Sequence, residues 1–289
     1  MKVTPVITVA LIFALSSAVL AQWPKYSPPG VPKTPDGNVN TTAPAPRTVD
    51  GKPDLSGVWE TIPGRRPNTP AVAAEGTGEL PPSGSLFGNI GDQVAGGAPY
   101  QPWAAELVKK RMADNSKDNP DAHCLPLGLM QNTTHPFPKK IIQTASEVIL
   151  IYEGSATTVR EIYLDGRTPD PEADPWYQGY SAGRWEGDTL VVETTNFIDD
   201  DHWSTWLDVR GSPLTRNGKI IERFRRLNFG SLVIEVTIDD PKAYTKPFTA
   251  TINNRLLPDT QLIEFVCIDK SAQHYVGSDG KAGAPRQVK

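Results

Sequence analysis

Charged side chains recur inside strand-like, otherwise apolar stretches of this sequence, and they are the residues that could do chemistry. Arg160, Glu193, Glu222, Arg223, Arg225, Glu235 and Glu264 all stand in such stretches. Successive strand residues point to opposite faces, so Glu222 shares a face with Ile220 and Phe224, and Glu264 with Leu262 and Val266. If those faces point to the core, the carboxylates are buried and need partners. Arg is the natural partner, because its planar fork engages a carboxylate through two hydrogen bonds. This predicts one polar site of Arg160, Glu193, Glu222, Arg223 and Glu264 inside a barrel, lined by Tyr163 and Trp185. In an enzyme, Glu222 or Glu264 would be a general acid or base with a raised pKa, and Arg160 or Arg223 would hold an anionic substrate. In a binding protein, Arg160, Tyr163, Trp185, Glu193 and Arg223 would line the ligand. The same charges also fit a structural ion-pair network or a charged outer face.

Other chemistries have less support. His123, His135, His202 and His274 show neither His-x-His nor His-x-x-x-His spacing, so no metal site is expected. The run Asp199-Asp200-Asp201 lacks the alternating oxygen ligands of a calcium loop and reads as solvated. Trp176, Tyr177, Tyr180, Trp185, Trp203 and Trp206 crowd one region and fit either a ligand-binding wall or ordinary packing. No Gly-x-Ser-x-Gly, P-loop or dinucleotide fingerprint stands in a strand-to-helix context, and no cofactor is expected. The net charge of −4 argues against a nucleic-acid partner. The two cysteines, Cys124 and Cys267, are expected to pair if the chain is exported; two separate buried thiols are the alternative.

The elements that must position these residues are short strands. The stretch 179–195 reads as a hairpin turning at Glu186-Gly187-Asp188. Strand patterns also cover 55–61, 148–152, 158–164, 219–226, 232–238, 248–256 and 261–267, while Pro102 to Met112 carries an apolar stripe at helical spacing. The fold class is therefore mainly β: an antiparallel barrel of about eight strands, with a Pro/Gly-rich loop and one helix inserted at 63–140. The 28 Pro and 24 Gly of the 289 residues concentrate towards the front, which places the core in the later two thirds. Residues 1–21 read as a signal peptide: Lys2, an apolar run from Val6 to Leu15, and small residues before Gln22. A Pro-rich extended leader follows at 22–53, the barrel domain occupies 54–270, and 271–289 is a polar tail. The mature chain is expected to be exported, periplasmic or extracellular, with no stable membrane span.

Five stretches together carry a resemblance: Gly51-Lys52-Pro53-Asp54-Leu55-Ser56-Gly57-Val58-Trp59, Tyr152-Glu153-Gly154, 160–167, Trp185-Glu186-Gly187-Asp188-Thr189-Leu190-Val191-Val192-Glu193-Thr194, and 239–245. They are similar to a family of exported bacterial proteins without an assigned activity. The Gly57-x-Trp59 step also resembles the opening strand of lipocalins, where the Trp packs across the barrel floor against an Arg of a late strand. The resemblance implies secretion and a lipocalin-like barrel, and supplies no mechanism. Family members often carry Pro-His-Ser where this chain has Pro213-Leu214-Thr215. The leading expectation is an exported small-molecule-binding barrel. The alternatives are an enzyme of lyase, isomerase or hydrolase type working through Glu and Arg, and an envelope interaction module using its Pro-rich front.

Overall fold

The computed structural model describes residues 30–62, 89–154, 158–170, 172–199, 204–265 and 267. The signal-peptide and polar-tail expectations, the leader before residue 30 and much of the Pro/Gly-rich insertion lie outside the described residues, as do His202, Trp203 and His274.

Alternating burial along the strands sets the architecture. On β7 (Lys219–Asn228), Ile220, Glu222, Phe224 and Arg226 are buried; on β8 (Ser231–Asp239), Leu232, Ile234, Val236 and Ile238 are buried. On β9 (Phe248–Leu256) the buried set is Phe248, Ala250, Ile252 and Asn254. This two-residue period turns one face of each strand inward. The other strands are β1 (Gly57–Ile62), β2 (Lys139–Gln143), β3 (Glu147–Tyr152), β4 (Val159–Tyr163), β5 (Tyr180–Glu186) and β6 (Thr189–Thr195). They close in chain order from β1 to β9, with β1 paired to both β2 and β9.

The barrel differs from expectation in three ways. It has nine strands rather than about eight. It is mixed: β4 and β5 run parallel, joined only by the pairs Ile162↔Ser181 and Tyr163↔Ala182. Parallel neighbours need a crossover, and residues 164–179 supply it. Finally, 261–267 forms no strand among its described residues. Its apolar alternation finds no ladder, because the β1–β9 pairing has already closed the ring. This segment instead lies along the outside, where the Ile263 amide donates to Glu153 (3.1 Å) and Cys267 bonds Cys124.

One end of the barrel is a floor. Trp59 is fully buried, and its indole N–H donates to Leu55 O at 2.9 Å. The Arg226 guanidinium lies 4.9 Å from the Trp59 ring centroid and donates to the carbonyls of Asp54, Ser56 and Phe229. A floor Trp thus faces an Arg of a late strand. The described part of the leader is turn-rich and attached rather than loose: the amides of Phe229 and Gly230 donate to Ala43 and Thr41, and Arg47 forks onto Asp188.

The opposite end is plugged. Helix α1 (Pro102–Ala113) lies in the cap, and α2 (Leu129–Thr134) has every residue buried. Gln131 ties α2 to Asp208 O at 2.9 Å, and Arg111 stacks on Trp206 at 4.3 Å. No helix among the described residues is long and apolar enough to cross a membrane.

Candidate functional site

Beneath α2 the barrel interior changes from apolar to polar. Arg160 of β4 faces Glu222 of β7 across the lumen, with side chains 1% and 0% exposed. The guanidinium forks onto the carboxylate: Nη1 donates to Oε1 at 3.1 Å and Nη2 to Oε2. Arg160 Nε donates to Ser181 Oγ and Nη2 to Thr194 Oγ1, both at 3.0 Å, and those two hydroxyls bond each other. Burial is the largest influence and opposes the charge of Arg160, but Glu222 and Tyr152 together outweigh it and leave the guanidinium pKa raised.

Two further groups complete the layer. Lys139, at the start of β2, is 1% exposed, and its ammonium donates to Thr61 Oγ1 (2.5 Å) and to Thr133 O (3.1 Å). Both acceptors are neutral. Burial pushes the amine down to about 7, with Glu222 and Glu60 only partly restoring it. Tyr152, its register partner on β3, is 4% exposed. The Tyr152 hydroxyl is near enough to Thr133 and Arg160 to feel both, yet it meets hydrogen-bond geometry with neither and has no partner. Burial raises its pKa. Above it a crevice lined by Asn132, His135, Phe137, Pro138, Tyr152 and Gly154 is too narrow to admit a water molecule. Burial, with Lys139 nearby, holds His135 down to about 3, so its imidazole is neutral.

Of the five charges expected to converge, the structure joins Arg160 and Glu222 and separates the rest. Glu193 is exposed on the outer wall, because Val192 and Thr194 on either side of it face inward. Arg223 lies outside beside Glu186 at 3.0 Å, since Glu222 and Phe224 occupy the inner face of β7. Adjacent strand residues cannot both face the lumen, so Glu222 and Arg223 could not share an interior site. Glu264 is exposed on the outer segment that pairs with no strand. Tyr163 is also outside: it donates to Glu161 and stacks with Arg167 and Tyr180. Trp185 packs against the core towards the floor, with Lys52 at 6.0 Å, away from Arg160. Of the crowded aromatics, Trp206 is buried in the cap and Trp176 is largely exposed beside Tyr180. Among the described residues no group of three or more His, Cys, Asp or Glu could hold a metal ion.

Lys139 and Tyr152 escaped sequence reasoning, although a signal existed. Lys139 stands two residues before Ile141, and Tyr152 two after Leu150, so each shares a strand face with a core residue. Comparison with protein-family models, with curated proteins and with solved structures finds no match.

Proposed function

We propose that the protein is an exported small-molecule-binding barrel, lipocalin-like in plan, whose ligand occupies the polar layer under α2. The observation that carries this reading is the Tyr152 hydroxyl, buried and without a partner. An orphaned buried hydroxyl costs about 1–3 kcal/mol, a cost that a bound polar group would remove. Lys139 and Arg160 beside it supply charge, and a few convergent polar groups above an apolar interior are what small-ligand sites use. Arg226 on Trp59 supports the lipocalin-like plan. The apolar run before Gln22 and the Cys124–Cys267 bridge support export.

Tyr152→Phe deletes the hydroxyl and leaves the ring. Native mass spectrometry of protein purified from its own host should reveal a retained small molecule, and the variant should retain far less of it at unchanged stability. Equal retention by both proteins would remove the polar layer as the site.

An enzyme is the second reading, favoured by the near-neutral pKa of the Lys139 amine, which suits a general base. Conversion of the retained molecule by wild type and not by Lys139→Met separates the two. The envelope-module reading has less support, because the described part of the leader is engaged with the barrel floor. Deleting residues 22–53 and finding partner recovery unchanged in a pulldown would dispose of it.

A further inference from the structure

The outer face of the cap carries a charge opposite in sign to the net charge of −4 of the whole chain. On α1, Ala104, Val108 and Arg111 recur at helical spacing and turn inward, the first two buried and Arg111 stacked on Trp206. Trp103, Glu106, Lys109 and Lys110 are all exposed. Trp103 and Lys110, seven positions apart, share one flank of the helix. The connection between β8 and β9, residues 240–247, lies against the start of α1. There the Gln101 amide donates to Ala243 O, the Thr245 amide to Pro99 O and the Trp103 indole to Lys242 O, each at 2.8 Å. This connection adds Lys242 and Lys246, both exposed. None of the four lysines makes an ion pair among the described residues. Facing them, Glu106 is unpaired, while Asp239 is bound to Lys219 and Asp240 to Thr215. Past the helix, Lys117 is bound to Asp114 and Asp118.

Trp103 adds a second, apolar observation. Its ring is 47% exposed, yet its N–H is already bonded, so an apolar ring is held at the surface with its polar edge satisfied. Met112 on the same helix is 49% exposed. We propose that the cap end of the barrel docks on an anionic bilayer surface, with Lys109, Lys110, Lys242 and Lys246 against the headgroups and Trp103 at their level. Lysines near such a surface are attracted by its negative potential, and Trp is at home in the membrane–water interface. A bilayer is favoured over a soluble polyanion because Trp103 and Met112 gain by entering the interface, which a hydrated polyanion does not offer. The contact is peripheral, since no helix among the described residues can cross a membrane. The inference goes beyond ligand binding and does not depend on the polar layer.

Cosedimentation of the full chain with vesicles tests it. The chain should bind vesicles of phosphatidylglycerol and phosphatidylcholine in equal parts at about 0.05 M salt and leave them at about 0.5 M. It should not bind vesicles of phosphatidylcholine alone. Lys109→Gln with Lys110→Gln should lower partitioning about thirtyfold, at roughly fivefold per lysine. Both side chains are exposed, so thermal unfolding of this variant should match wild type. Lys33→Gln with Lys52→Gln changes the net charge equally, but in the leader attached to the opposite end, and should bind as wild type does. Trp103→Ala should weaken binding and leave its salt dependence unchanged. Absence of binding to the anionic vesicles at low salt would overturn the proposal. Equal binding to both kinds of vesicle would do the same, as would equal losses from the two lysine pairs. Heparin bound under conditions where the vesicles are not would assign the lysines to a soluble polyanion instead.

Discussion

The Arg160–Glu222 pair is the most consequential two-residue contact in the barrel, because both partners are almost completely withdrawn from water. Removing one charge from such a pair leaves the other uncompensated, at a cost of about 3–5 kcal/mol. Glu222→Gln should therefore lower the urea midpoint strongly. The double variant Arg160→Met with Glu222→Met, of similar volume and without charge, should recover much of the loss. A double variant as unstable as the sum of its singles would show that the two side chains act independently. Lys139 makes a different prediction. Its folded pKa of about 7 lies below its ordinary 10.5, so between those values the unfolded chain binds more protons than the folded one. Stability must then rise with pH in that window, by at most about 1.4 kcal/mol per unit, and should level off below about pH 7 as far as this group is concerned. His135, held near 3 from an ordinary 6.5, adds a separate window in which stability is lost as pH falls from about 6.5 towards 3. Denaturation of wild type against Lys139→Met between about pH 7 and pH 9 isolates the lysine: the variant should lack the slope.

The floor shows how an element depends on one side chain. Arg226 carries carbonyls of Asp54, Ser56 and Phe229 on one planar group while stacking on Trp59. Lys has neither the fork nor the plane. Arg226→Lys should accordingly destabilise by about 2 kcal/mol despite keeping the charge. Amide exchange at Leu55 and Trp59 should accelerate ahead of that in β8; uniform acceleration would mean that the floor is not a separate unit. Much of the element layout was legible beforehand. Alternation located most of the strands, and it marked Glu222 as a core carboxylate through Ile220 and Phe224. Alternation carries no direction, however, so the parallel seam of β4 with β5 had no sequence signal. It also marks a face without guaranteeing a neighbour: Glu264 between Leu262 and Val266 has the same pattern as Glu222 but no ladder to join. Lys139 was concealed by Lys140, since two adjacent lysines resemble a solvated pair until the register separates them.

At the scale of the molecule, the Cys124–Cys267 bond joins positions 143 residues apart and anchors the segment after β9 to the cap. A loop of that length contributes about 4–5 kcal/mol in the chain-entropy treatment. Cys124→Ala with Cys267→Ala should lower stability by an amount of this order, and unreduced wild-type protein should resist alkylation. Two reactive thiols in the native protein would contradict the bond. β2 to β9 all fall between the two cysteines, whereas β1 lies before the first. The strand made earliest is therefore the one that the covalent ring excludes, and one of its two neighbours, β9, is made last. During synthesis Gly57–Ile62 has no complete set of partners until nearly the whole chain has emerged. Closure couples the ends of the domain in a late step, with the loop entropy that makes such topologies slow. Until then, β1 presents a bare edge to whatever other chain is near, so the barrel's time of greatest exposure to aggregation comes before its last strand arrives.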